Sequence, residues 1–230
     1  NIAEGDLDGD GKPDLAVAYN SSQNKITVYR NTSTTGLINT SSFAPGVDIV
    51  VGSYPGSLSI ADLDGDAKLD IVVCNGNSNN ISILKNNSTI GSITSSSFAT
   101  HVVFASGLSP LNAIIKDIDR DGKVDIAVVN KSSNTLSILK NNISNGTINL
   151  NSFAPKVDFV TGTSPFSIAI GDINGDNKLD LVTTNSGSNT ISIFENTTSD
   201  GIINSSSFAP KVDISTGTTP QILILDDLDD

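Results

Sequence analysis

"DLDGDGKPD", residues 6–14, places four aspartates, Asp6, Asp8, Asp10 and Asp14, within nine positions. Carboxylates this close repel one another, and water with salt, a catalytic task or a metal ion would each relieve them. The string returns as "DLDGDAKLD" (62–70), "DIDRDGKVD" (117–125) and "DINGDNKLD" (172–180), and a fifth copy opens as "DLDD" at Asp227. Successive starts lie 56, 55, 55 and 55 residues apart. "SSFAP" (41–45), "SSFAT" (96–100), "NSFAP" (151–155) and "SSFAP" (206–210) keep the same step. So do Gly-x-x-Pro turns that end at Pro55, Pro110, Pro165 and Pro220. Markers held in register along the whole chain establish a repeat.

Each repeat reads as four short strands. One precedes the acidic loop, as in "SIAI" (167–170), and one follows it directly, as in "LDIVV" (69–73). An Asn/Ser-rich hairpin leads to a third, "ISILK" (81–85), and a longer polar stretch leads to a fourth, "VDFV" (157–160). Hairpin-linked β-branched runs of this length describe an antiparallel meander. A four-stranded meander at this period is the mark of a β-propeller blade, whereas solenoid coils are shorter and tandem sandwiches about twice as long. The expected fold is therefore all-β, a propeller built of four-stranded antiparallel blades across residues 1–230. Repeats start near 1, 57, 112 and 167, and an extra first strand at 222–226 opens a truncated fifth. The chain opens inside a repeat without Met, so it reads as a mature chain or a segment of a longer one. In a meander the acidic loops and the long polar segments share one end of the strands. The hairpins and Gly-x-x-Pro turns share the other.

Composition narrows the function classes. The formal net charge of −12 argues against nucleic acid or an anionic membrane as partner. No apolar run is long enough to span a membrane as a helix. Cys74 is the one cysteine, which excludes an intrachain disulfide, and "IVVCN" reads as a buried strand. His101 is the one histidine, so a His-based zinc site or a Ser-His-Asp triad has a single candidate to build on.

The acidic loop follows the logic of a calcium loop. Positions 1, 3, 5 and 9 offer side-chain oxygens, and position 7 offers a backbone carbonyl. A hard cation taking six to eight oxygens at roughly 2.3–2.6 Å fits that donor set. Magnesium demands stricter octahedral geometry, and softer metals want His or Cys. The expected ligands are Asp6, Asp8, Asp10, Asp14 and the carbonyl of Lys12; then Asp62, Asp64, Asp66, Asp70 and the carbonyl of Lys68. The third set is Asp117, Asp119, Asp121, Asp125 and the carbonyl of Lys123; the fourth is Asp172, Asn174, Asp176, Asp180 and the carbonyl of Lys178. Asp227 and Asp229 would begin a fifth. The fourth loop, one charge short, is expected to bind more weakly. Position 6 requires a sharp turn, which Gly11, Gly122 and Asn177 suit and Ala67 does not. An Asp/Gly-rich turn without metal is the alternative, and fourfold recurrence argues against it. The four complete loops hold 15 of the 25 acidic residues, so four Ca²⁺ ions would bring the net charge from −12 to −4.

These loops, each running into a strand such as "KLDLVTTN" (178–185), resemble the FG-GAP/VCBS repeat family, the calcium-loop propellers that include the integrin α-subunit head. The resemblance covers all 230 residues. "SFAP" is a loose version of the motif that names FG-GAP, so the VCBS-like branch fits better. The resemblance implies structural calcium on the face away from the usual ligand-contacting loops. It also implies about seven blades, so further blades would come from a longer chain or another chain.

Three functions follow as expectations. The first is a calcium-stabilised, non-catalytic extracellular or cell-surface module for adhesion, protein interaction or assembly. The second is a glycan-binding, lectin-like propeller, although aromatics suited to sugars are limited to Tyr19, Tyr29 and Tyr54. A non-catalytic domain of a larger secreted enzyme is a further alternative. Catalysis within these residues is not expected, because it needs one asymmetric site and the carboxylates recur in every repeat. N-x-[ST] triplets at Asn20, Asn31, Asn39, Asn80, Asn86, Asn87, Asn130, Asn142, Asn145, Asn196 and Asn204 offer glycan acceptors. Unpaired strands at the two ends of the chain also allow head-to-tail self-assembly.

Overall fold

Each repeat concentrates its Val, Ile and Leu in four short runs separated by Asp-, Asn- and Ser-rich turns. The computed structural model describes residues 1–144 and 146–226, and it folds every such set into one antiparallel sheet in sequence order. The first sheet holds β1 (Ile2–Gly5), β2 (Asp14–Ala18), β3 (Lys25–Tyr29) and β4 (Val47–Val50). The second holds β5 (Pro55–Ala61), β6 (Asp70–Asn75), β7 (Asn80–Leu84) and β8 (Val102–Ala105). The third holds β9 (Pro110–Lys116), β10 (Asp125–Asn130), β11 (Thr135–Leu139) and β12 (Val157–Val160). The fourth holds β13 (Pro165–Gly171), β14 (Asp180–Asn185), β15 (Thr190–Phe194) and β16 (Val212–Ser215). These are the blades that the repeat predicts, and no helix occurs among the described residues.

The chain divides into two units, one of Asn1–Phe104 with Ile143–Ser152 and one of Ala105–Asn142 with Phe153–Asp230. In the first, Leu7, Ile26, Val28, Leu58, Ile71, Val73, Leu84 and Phe98 form one core. In the second, Ile118, Leu136, Ile138, Ile168 and Leu181 pack with three rings. Phe159 meets Phe208 edge-on at 5.0 Å between centroids and Phe194 at 6.5 Å. Burying a side chain of this size stabilises by about 1.5–3 kcal/mol. Of the SFA phenylalanines, Phe98 and Phe208 belong to these cores and Phe153 is also buried, while Phe43 is partly exposed.

The second strand of a repeat is the most enclosed. β6, β10 and β14 are buried at every position, whereas β2 alternates. Each of these three opens on a buried Asp and closes on a buried Asn, and between them β6 and β10 are apolar while β14 also buries Thr183 and Thr184. At the closing end, Asn130 and Asn185 accept the N–H of Gly107 (2.9 Å) and Gly162 (3.1 Å) from the Gly-x-x-Pro turns. A Cβ on Gly52, Gly107 or Gly162 would come within 2.5–2.7 Å of the Cγ of Asn75, Asn130 or Asn185, which is why that position is glycine. The left-handed residue of the turn is instead the one before proline: Tyr54 (φ 56°), Ser109 (53°), Ser164 (51°) and Thr219 (54°).

Residues 222–226, expected as an extra first strand, lie beside the fourth blade without a ladder of their own. The Gln221 carbonyl accepts the Thr184 hydroxyl at 2.9 Å. Leu225 comes within 3.6 Å of where a Cβ on Gly171 would sit. Asp227 and Asp229 lie outside the described residues.

Candidate metal centre

The acidic loops join the first and second strands of each blade, and the first aspartate curls them. Both Asp6 oxygens accept backbone N–H groups, from Asp10 at 3.1 Å and Gly11 at 2.8 Å. Asp62 does the same for Asp66 and Ala67, Asp117 for Asp121 and Gly122, and Asp172 for Asp176 and Asn177. The fifth-position carboxylate then accepts the N–H of the seventh-position lysine: Lys12 to Asp10 (3.0 Å), Lys68 to Asp66 (3.0 Å), Lys123 to Asp121 (2.9 Å) and Lys178 to Asp176 (2.9 Å). In the fourth loop Asn174 uses its side-chain oxygen to accept the Asp176 N–H at 3.0 Å.

All four loops take a left-handed sixth residue, Gly11 (φ 85°), Ala67 (65°), Gly122 (85°) and Asn177 (64°). The loop hydrogen bonds thus impose on Ala67 the conformation that its side chain disfavours. The fourth position is left-handed too, and there Arg120 (φ 61°) stands where the other loops have glycine. We expect Ala67→Gly to raise stability by about 1 kcal/mol by relieving the left-handed alanine. Urea denaturation measures it, and a loss of stability would show that the strain lies elsewhere.

The ninth-position aspartate ties three segments together. Asp14 accepts the N–H of Leu7 (2.9 Å) and of Asn31 (2.7 Å), one on each oxygen. Asp70 does so for Leu63 and Asn86, Asp125 for Ile118 and Asn141, and Asp180 for Ile173 and Asn196. Burial pushes the carboxyls of Asp70 and Asp125 up to about 7, against the pull of those N–H donors.

The acidic groups do converge. Oxygens of Asp6, Asp8 and Asp10 lie within 4.8 Å of one another, as do those of Asp62, Asp64 and Asp66, and those of Asp117, Asp119 and Asp125. In the second and third loops the third-position side chain is fully buried. There Asp64 Oδ1 and Asp119 Oδ1 have no hydrogen-bond partner. A buried carboxylate oxygen without a donor is costly, and a hard cation is the partner that such an oxygen set accepts. The residues present therefore fit calcium.

Two features escape a reading of the acidic strings alone. Arg30, Lys85 and Lys140, each directly after the third strand, reach over the loop. Arg30 donates to Asp8 (2.5 Å) and Asp10 (2.9 Å). Lys85 pairs with Asp64 and Asp66, and Lys140 with Asp119 and Asp121. Burial works against the Lys85 and Lys140 charges, yet those carboxylates hold both ammonium groups above their usual range. In the second and fourth repeats the asparagine at the next position clasps the preceding repeat. Asn86 Nδ2 donates to the Leu7 carbonyl at 2.8 Å, and Asn196 Nδ2 donates to that of Ile118 at 3.0 Å. Register would have shown both, since Arg30-Asn31, Lys85-Asn86, Lys140-Asn141 and Glu195-Asn196 keep the 55-residue step.

This geometry removes some expected glycan acceptors. Asn31, Asn86, Asn130 and Asn196 are buried and hydrogen-bonded, which closes them to modification in the folded chain. Asn20, Asn39, Asn87, Asn142 and Asn204 are exposed, and Asn145 lies outside the described residues. Cys74 is buried, and burial pushes its thiol up to about 12, as a strand residue requires.

The FG-GAP-like repeat description matches residues 6–73, 62–128 and 117–183, and the FG-GAP repeat description matches 164–203. This chain belongs to the FG-GAP repeat family. No curated protein matches the chain. Among solved structures, the FG-GAP blades resemble an Agrocybe aegerita lectin that recognises non-reducing terminal N-acetylglucosamine, at 16% identity and a TM-score of 0.55, covering 93% of this chain and 51% of that one. They also resemble BBS1N in its crystal structure with ARL6DN, at 14% identity and a TM-score of 0.54, covering 84% of this chain and 52% of that one. At these identities the likeness is one of fold. The FG-GAP chain spans about half the length of both structures.

Proposed function

We propose that this chain is a non-catalytic FG-GAP propeller module of an extracellular or cell-surface protein, held rigid by calcium and serving interaction or assembly. One observation carries the reading: the buried, unpartnered Oδ1 atoms of Asp64 and Asp119 inside loops that gather three carboxylates within 4.8 Å. FG-GAP repeats are typical of extracellular or cell-surface proteins, in keeping with the matched descriptions. Extracellular calcium reaches the roughly 10⁻⁴–10⁻³ M range in which extracellular modules bind it. The loops recur in every repeat with oxygen donors at the same positions, which suits a scaffold rather than an asymmetric reaction centre. Calorimetric titration of chelated protein with CaCl₂ tests this. Saturable binding near four ions per chain is the expected result, and no heat up to millimolar calcium would overturn it.

A glycan-binding reading has one observation in its favour beside the lectin fold. Tyr19 and Tyr54 are both exposed, and the Asn20 N–H beside Tyr19 donates to the Pro55 carbonyl beside Tyr54 at 2.8 Å. The backbone segments that carry two of the three tyrosines thus meet at the hairpin end of the first unit, the end opposite the acidic loops. Glycan-array binding that disappears in Tyr54→Ala would support this reading, and an array without hits would set it aside.

A further inference from the structure

Three of the four acidic loops carry a cation of their own. Lys85 and Lys140 each bridge the third- and fifth-position carboxylates of their loop, and Arg30 does the same in the first repeat. In the fourth repeat both halves of this pairing are exchanged. Asn174 stands where the others have Asp8, Asp64 and Asp119, and Glu195 stands where they have the basic residue. The backbone fixes that equivalence. The N–H of Asn86, next to Lys85, donates to Asp70 at 2.8 Å, and that of Asn196, next to Glu195, donates to Asp180 at 2.8 Å.

The exchange has a charge logic. A fully buried carboxylate needs a counter-charge, and an exposed asparagine needs none. Lysine satisfies one oxygen of Asp64 or Asp119 and leaves the other, Oδ1, without a partner. A single carboxylate thereby presents one oxygen to an ammonium and the other to whatever enters the loop. Lys85 and Lys140 are only 19% and 17% exposed, so water screens their charge weakly at this distance.

We propose that Lys85 and Lys140 set the calcium affinity of their own loops, holding Asp64 and Asp119 in place while repelling the incoming Ca²⁺. This rests on the calcium reading above. In its consequence the sites form two classes. The fourth loop, with one aspartate fewer but Glu195 in place of the built-in cation, is not the weakest site. Net charge, rather than the count of aspartates, ranks the loops.

The test uses the full chain with CaCl₂ as the titrant. In Lys85→Met/Lys140→Met, two sites should bind calcium about tenfold tighter than in the unmodified chain. Its melting temperature in EDTA should fall, because two buried carboxylates lose their partners, and calcium should restore more of it. The reverse transplant, Asn174→Asp/Glu195→Lys, alters two exposed positions and so does not depend on the core tolerating the change. It should weaken one site about tenfold. If the unmodified chain binds calcium and neither variant shifts it in these directions, the lysines are structural partners only and the proposal is overturned. If no chain binds calcium, the underlying reading falls and the proposal falls with it.

Discussion

Excess EDTA should lower the melting temperature of this chain by about 10–20 °C. At calcium near ten times its dissociation constant, each bound ion adds about 1.4 kcal/mol to the folded state. Four loops then contribute about 5–6 kcal/mol, and for a chain of this length each kcal/mol moves the midpoint by about 2–4 °C. The structure explains why so much rests on the ion. Asp64 Oδ1 and Asp119 Oδ1 are buried without a donor, and burial already pushes Asp70 and Asp125 up to about 7. Differential scanning fluorimetry with and without chelator, followed by add-back of CaCl₂ or MgCl₂, is the measurement. Calcium should restore the original curve more fully than magnesium does. A midpoint that ignores EDTA would end the case for structural calcium.

The second large effect concerns a residue whose main work is not coordination. Asp70→Ala should cost about 3 kcal/mol in EDTA, where no ion contributes. It leaves the Leu63 and Asn86 N–H groups without their acceptor, and each such buried donor costs about 1–3 kcal/mol. Relief of a carboxylate that burial disfavours keeps the sum below the upper limit. Asp125→Ala should behave alike through Ile118 and Asn141, while alanine at the exposed Asp66 should cost far less. Urea denaturation of the three variants separates these cases. Equal losses at Asp66 and Asp70 would show that the two-donor tie is not what holds the loop.

Much of this was legible in the residues. The 55-residue step and the Asp spacing are local patterns, and local hydrogen bonds among the loop's own residues build the curl that they imply. Contacts across sequence were harder to read. Lys85 meets Asp64 from 21 residues away, and Asn86 meets Leu7 from 79, distances over which a motif carries no instruction by itself. Ala67, expected not to suit the turn, takes it for a related reason, and Arg120 takes a left-handed conformation as well. Intrinsic preference speaks against a left-handed alanine or arginine, but bonds such as Ala67 N–H to Asp62 at 2.9 Å override it. Asn86 and Asn196 read as glycan acceptors because N-x-[ST] is a surface pattern, whereas their amides serve as interior clasps.

That clasp also bears on how such a chain changes its number of repeats. Asn86 Nδ2 and Ser88 Oγ both donate to the carbonyl of Leu7, and Asn196 Nδ2 donates to that of Ile118. The Gly91 and Gly201 N–H groups likewise find the carbonyls of Asp8 and Asp119. Every acceptor is backbone, which any repeat supplies whatever its side chains. The second repeat thus overlaps the first, and the fourth the third, as a roof tile does, through hydrogen bonds that use no side chain of the repeat underneath. Copying whole 55-residue periods keeps each such donor and its backbone acceptor in phase, while a cut at any other phase separates them. Growth by copying whole units is therefore the cheap route for this architecture, and individual loops stay free to diverge, as the Asn174–Glu195 pair already has.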